Sequence, residues 1–222
     1  MLIDPFNHQS YVDDVVKELK LSNTEIQKIH SKYANYGNQI FMIPITIWAE
    51  PTPYSPIRIN TRLMRIYVPN KVKLVKAIRN LILQELGTTH FMNGFFPVFT
   101  ETILRSHLYL PTPKNFNREN TYLAESKILR PIVTPDVDNV EKIVNDAIKS
   151  FVIYDDAQIV SNITEKYYST RPRMEAVVYY NAVPLNSVHE KIIEQRKERW
   201  KQLLLTDQQQ EFIQLLRKYY NT

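Results

Sequence analysis

The sequence predicts an α+β protein: a mixed sheet with packed helices, extended by helical segments at both ends. Three observations carry this. Ten of the 13 prolines lie between Pro44 and Pro135, which marks the centre as strands and loops, because proline breaks helices and sits at strand edges and turns. The two ends are nearly proline-free and repeat their apolar residues at helical period. A hydrophobic fraction of 44% beside 23% charged residues is that of a globular chain.

At the start, Val12, Val15, Val16 and Leu19 recur at i, i+3, i+4, i+7, and so do Ile26, Ile29, His30 and Tyr33 after a Ser22-Asn23-Thr24 cap. Ile43 to Trp48 reads as a strand. Pro51, Pro53 and Pro56 then mark a loop holding Arg58, Arg62 and Arg65. Val72 to Leu86 reads as a helix stopped by Gly87, a favoured residue just past a helix end. Phe96 to Tyr109 is a strand region closed by Pro111 and Pro113, followed by a polar loop from Lys114 to Glu125. Val140, Ile143, Val144, Ala147 and Ile148 form one apolar stripe of a helix. A short strand, Phe151 to Tyr154, leads into Asp155-Asp156. Ile159 to Tyr168 and Met174 to Tyr180 read as a hairpin joined through Ser169-Thr170-Arg171-Pro172. Ser187 with Glu190 has capping-box spacing before a helix carrying Ile192, Ile193, Trp200, Leu203 and Leu204. Thr206 with Gln209 repeats it before Phe212, Leu215, Leu216, Tyr219 and Tyr220. The expected organisation is therefore a helical segment over 1–40, a central domain over 41–181, and a helical segment over 182–222.

Several chemistries are excluded at this stage. The 222 residues contain no cysteine, which removes disulfides, thiol nucleophiles and cysteine-ligated zinc, and fits a reducing compartment. The three glycines stand outside any phosphate-cradling motif. The five histidines, His8, His30, His90, His107 and His189, show no ligand spacing. MLIDPFNHQS has no apolar core of a secretory signal, and the longest apolar run, Ile40 to Ala49, is about half a membrane span and contains Pro44. No membrane association is expected.

The formal charge of +5 is unevenly spread. Residues 41–134 hold 12 Lys/Arg against 5 Asp/Glu, whereas 135–181 hold 5 against 8. A basic region next to an acidic one suits an anionic partner held beside a bound cation. Arg58, Arg62, Arg65, Lys71 and Lys73, with Lys76 and Arg79, are the candidate phosphate contacts. On the helix over 140–148, the face opposite the apolar stripe carries Asp138, Lys142, Asn145 and Lys149, with Asp146 at its flank and Asp136 just before the helix. Each residue also has a plain structural reading: Asp138 as an N-cap, Asp155-Asp156 as a turn, Lys142 as a solvated face residue. Converging, these carboxylates would suit Mg²⁺ or Mn²⁺. A cation among clustered aspartates beside a basic surface is a means of hydrolysing phosphodiesters.

The same residues carry a resemblance. Pro135-Asp136-x-Asp138-Asn139-x-x-Lys142, then Asp146-Ala147, then Asp155-Asp156-Ala157-Gln158-Ile159-Val160, then Lys166 and Pro172, is similar in order and spacing to the RusA family of Holliday junction resolvases. The resemblance covers about residues 41–181. It is looser in the first half, where a strand, Pro51-x-Pro53 and Arg58 resemble the family's opening, and Leu108-Tyr109-Leu110-Pro111 resembles a strand end. It implies a homodimeric, magnesium-dependent endonuclease that nicks branched DNA symmetrically and leaves 5′-phosphate and 3′-hydroxyl ends. It implies metal-binding roles for Asp136, Asp138 and Asp156, with Mn²⁺ a possible substitute, and a catalytic role for Lys142 in stabilising charge on the phosphate. Asp155 matches an acidic neighbour of open role, and Asp146 matches either a further ligand or a helix-surface residue. Thr134 departs from the basic residue that many members carry there.

The expectation is a nuclease that resolves Holliday junctions or related branched DNA in recombination and repair. Its expected location is the cytoplasm, bacterial or of a phage-infected host cell. The competing readings are a non-cleaving branched-DNA-binding accessory protein and a phage assembly protein built on the terminal helices. The complete acidic set favours the enzyme.

Overall fold

The computed structural model describes residues 8–36, 40–53, 58–60, 65–67, 71–92, 97–150 and 152–204. The chain divides into two compact units, 1–39 and 40–222. In the first, α1 (His8–Glu18) and α2 (Asn23–Tyr33) follow the expected periodicity. Ser22 caps α2 in a full capping box with Glu25, each side chain taking the other's backbone N–H.

In the second unit the elements run β1 (Ile40–Ile47), β2 (Arg58–Asn60), β3 (Arg65–Tyr67), α3 (Lys71–Met92), β4 (Thr102–Pro111), α4 (Arg118–Glu125), α5 (Val137–Ile148), a 3₁₀ turn (Asp156–Gln158), β5 (Ile159–Ser169), β6 (Arg173–Asn181) and α6 (Ser187–Leu204). The fold is α+β, with a four-stranded mixed sheet in the order β1-β6-β4-β5. Strand β4 is parallel to β5 and antiparallel to β6, and β6 is antiparallel to β1.

One face of the sheet is the core. Ile43, Ile45 and Ile47 of β1, Leu104 and Leu108 of β4 and Met174, Ala176 and Val178 of β6 alternate inward, as a strand's period of two requires. They cluster with Ile78, Ile82 and Leu86 of α3 and with the stripe of α5: Val140, Ile143, Val144, Ala147 and Ile148. The stripe predicted for α5 is wholly buried.

The structure corrects several local expectations. Strands β5 and β6 are adjacent in sequence but form no hairpin, because β4 is inserted between them. Their link is held instead by Glu125, whose carboxylate accepts from the Thr170 N–H at 2.6 Å and from the Thr170 and Ser169 hydroxyls. Helix α3 runs through Gly87 to Met92. Residues 118–125, expected as loop, form α4, capped by the Asn117 side chain. Arg58 and Arg65 lie on a small two-stranded ladder rather than in a loop. Ile153 makes only isolated bridges to Val98 and Lys149 instead of a strand. The cap of α6 is Asn186, whose side-chain Oδ1 accepts from the N–H groups of Val188 and His189, rather than Ser187. The helix expected after Thr206 lies outside the described residues.

The Glu125 clamp makes a pH prediction. Burial opposes ionisation of Glu125, but the bonds from Thr170 and Ser169 and the nearby Arg173 outweigh it and lower its pKa. A depressed carboxylate contributes stability fully above its unfolded value, about 4.3, and loses it as pH falls through the folded value. The urea midpoint of Glu125→Gln should therefore fall below that of the parent at pH 7, and the gap should be smaller at the lowest pH at which the parent still folds. An equal gap at both pH values would exclude the ionised clamp.

Candidate functional site

Helix α5 positions the acidic residues. Asp136 occupies its N-cap position, and its side chain makes no capping hydrogen bond. Asp138 is the second residue of the first turn, so the cap position belongs to Asp136 and not to Asp138. One turn later Lys142 donates to Asp138 Oδ2 at 3.0 Å, with both side chains more than 60% exposed. The Lys142 bond holds the Asp138 carboxyl below the usual range. Asp136, Asp138 and Lys142 thus share the N-terminal end of α5, outside the core.

Asp155 and Asp156 stand at the other end. Lys149, the C-cap residue of α5, places its Nζ 2.7 Å from Asp156 Oδ1 and 3.3 Å from Asp155 Oδ2. Three ties fix this arrangement. Lys149 meets Asp156 at the C-terminal end, Asn162 of β5 donates to Glu141 at 2.7 Å midway, and Lys166 of β5 donates to the Pro135 carbonyl at 3.1 Å at the N-terminal end. Strand β5 therefore runs back along α5. The two acidic sets are separated by the 12 residues of the helix, about 18 Å at 1.5 Å per residue. Within one chain they do not converge. Among the described residues, no group of three or more His, Asp or Glu side chains is gathered closely enough to hold a metal ion.

Both ends are held firmly. At the C-terminus of α5, Arg79 of α3 donates to the carbonyls of Asp146, Ala147 and Lys149 at 2.8–3.1 Å. It caps the helix where carbonyls lack intrahelical partners and where a cation is favoured. Arg79 is thus a structural clamp on the helix end, a role its charge alone does not indicate. At the N-terminus, Lys166 grips the Val133 carbonyl at 2.6 Å as well as that of Pro135, fixing the segment that delivers Asp136.

The acidic pair is held by Gln158, which is buried. Its amide donates to Val98 O, Thr100 O and Thr102 Oγ1, and its carbonyl oxygen accepts from the Asp155 N–H. Asp155 reciprocates through Oδ1, which accepts from the Ala157 N–H at 2.9 Å. The D-x-x-Q spacing is itself a legible capping signal. Burial opposes ionisation of Asp155, but the Ala157 N–H and the Lys149 ammonium hold its carboxyl low.

Of the expected phosphate contacts, Lys73 is exposed on α3, and Lys71 is paired with Asp146 at 2.8 Å. That pair gives Asp146 a structural partner. Arg58 and Arg65 stand on β2 and β3, and Arg62 lies outside the described residues. Lys149, Arg79 and Gln158 complete the site. Charge pattern alone could not separate Lys149 and Arg79 from the solvated cations around them.

The donor set suits a hard divalent cation, since carboxylate oxygens are what Mg²⁺ takes. The uncapped Asp136 carboxylate is consistent with that use. The two half-sets stand at opposite ends of α5 within one chain.

Comparison with known proteins bears on this arrangement. Residues 49–179 match the family model described as endodeoxyribonuclease RusA, which is more than half of the chain and includes both acidic sets. A Bacillus subtilis (strain 168) protein, described as uncharacterized protein YqaN, is 30% identical over 140 residues, covering 61% of this chain and 94% of the relative.

Gln158→Leu tests the support of the acidic pair. It keeps most of the side-chain volume but leaves three acceptors and one N–H without their partner. Unfolding free energy should fall by about 1–3 kcal/mol, and cleavage of branched DNA should fall further than the loss of folded protein explains. Parental activity per folded molecule would show that Gln158 does not position Asp155 and Asp156.

Proposed function

The chain belongs to the RusA endodeoxyribonuclease family, and from that premise we propose that it is a magnesium-dependent homodimeric endonuclease that resolves Holliday junctions or related branched DNA in recombination and repair. The observation that carries the reading is the solvent-facing first turn of α5. There Asp136 uses no oxygen in capping, and Asp138 and Lys142 stand side by side outside the core. A purely structural helix entrance would use Asp136 as its cap, since that is worth about 1 kcal/mol.

Asp136 and Asp138 of one chain would hold the ion together with Asp156 of a second chain, because α5 keeps the two sets apart within each. A two-fold dimer supplies two identical sites of this kind, and two symmetric cuts are what a four-way junction requires. The ion, when bound, supplies Lewis acidity for activating water and stabilising the leaving oxygen. The chain's own residues do the rest. Asp138, whose carboxyl the Lys142 bond holds low, keeps its negative charge beside the positive end of the α5 dipole. The Lys142 ammonium neutralises charge developing on the phosphate. Lys73, Arg58, Arg62 and Arg65 hold the flanking backbone by charge, and Lys71 joins them on leaving Asp146.

Asp138→Asn tests the reading. The residue is exposed and does not cap, so folding should change by less than about 0.5 kcal/mol. Cleavage of a labelled mobile junction in Mg²⁺ should nevertheless fall by orders of magnitude, because an amide oxygen is a far poorer ligand than a carboxylate. Lys142→Ala should also abolish cleavage while junction binding persists. Parental cleavage by Asp138→Asn would refute the site, and binding without cleavage by the parent in Mg²⁺ would point to an accessory protein.

A further inference from the structure

Lys149 and Lys142 both pair with proposed metal ligands, but the two pairs differ physically. The Lys142–Asp138 pair is an i, i+4 contact between two side chains more than 60% exposed, the kind of surface pair that contributes little. Lys149 is only 34% exposed. Its backbone is fixed on both sides, since its N–H bonds the Asn145 carbonyl and its carbonyl accepts from Arg79 at 2.8 Å. Its ammonium lies between two carboxylates, 2.7 Å from Asp156 Oδ1 and 3.3 Å from Asp155 Oδ2. The other Asp155 oxygen is engaged by the Ala157 N–H. The Asp155 oxygen left over and one Asp156 oxygen therefore converge on one point, and Lys149 Nζ occupies it.

We propose that Lys149 is a built-in competitor of the metal ion: it holds the Asp155–Asp156 end closed and yields its place when a divalent cation binds. This rests on the metal-dependent reading above and names its regulation. An ammonium and a divalent ion compete for two carboxylate oxygens at contact distance, because a +1 and a +2 charge about 4 Å apart repel by roughly 2 kcal/mol even in bulk water, twice the value for two unit charges. Metal entry must therefore turn the Lys149 side chain outward. Removal of the charge should tighten metal binding. Its release puts a free cation beside the acidic set, where DNA phosphates can attract it. Lys149 is accordingly a positioning residue that sets the metal concentration at which the site forms.

The test uses the full chain and Mn²⁺ as the probe, titrated by calorimetry without DNA. Lys149→Gln should bind Mn²⁺ at least about threefold more tightly than the parent, the factor expected on removing one partly exposed ion pair. Lys149→Arg, which keeps the charge, should not tighten. A second measurement needs no variant: reductive methylation of Lys149, read by mass spectrometry, should accelerate in saturating Mg²⁺ while that of Lys197 and Lys201 stays constant. Unchanged or weaker Mn²⁺ binding by Lys149→Gln, or a Lys149 reactivity unmoved by Mg²⁺, would overturn the competitor role alone. A parent chain that binds no Mn²⁺ would overturn the metal reading, and this inference with it.

Discussion

The packing of α5 is the constraint on which the rest of the site depends. Its five-residue apolar stripe is buried against the sheet and α3, and each of its four Val and Ile side chains contributes about 1.5–3 kcal/mol. Arg79 binds the carbonyls at one end, and Lys166 holds the backbone just before the other. A helix held along its length and at both ends behaves as a rigid strut. Whatever stands at its two ends is kept a helix length apart, and neither end can slide toward the other without exposing the stripe. The acidic residues are placed by this strut: Asp136, Asp138 and Lys142 at its entrance, Asp155 and Asp156 beside its exit. Within one chain the two acidic sets stay at opposite ends of the helix, and the proposal of a site shared between two chains rests on that separation.

Much of this was legible in the residues. The α5 stripe is a period-3.6 signal, and all five predicted positions are buried. The cores of β1, β4, β5 and β6 were legible as apolar or β-branched runs between turn residues. Pairing was not. A short link between β5 and β6 suggests a hairpin, but which strand lies next to which is decided by long-range packing, and β4 takes the place between them. Helix α4 escaped notice because it buries only Ala124 and so shows no apolar stripe. Gly87 failed as a stop because a single glycine costs a helix only about 1 kcal/mol, and the helix continues to Met92.

The site was legible as a set of residues but not as an arrangement. Motif order names Asp136, Asp138, Lys142 and Asp156 without stating which end of a helix each occupies. The 18-residue gap between Asp138 and Asp156 is compatible with a return to the same end or a stop at the far one. The ties between α5 and β5 decide for the far end. Lys149 and Arg79 look like two more surface cations in a basic chain, and only their short contacts distinguish them from solvated charges.

The central claim is that each working site draws on two chains, and mixing inactive variants tests it most directly. Asp138→Asn and Asp156→Asn would each be purified, shown to be dimeric by light scattering, and assayed on a mobile four-way junction in Mg²⁺, alone and after exchange of subunits. If the halves meet across a two-fold axis, every mixed dimer regains one intact site, so the mixture should nick at about a quarter of the parental rate while each variant alone is inactive. If each chain holds a complete site of its own, both sites of the mixed dimer stay broken. A mixture as inactive as its components would contradict the account.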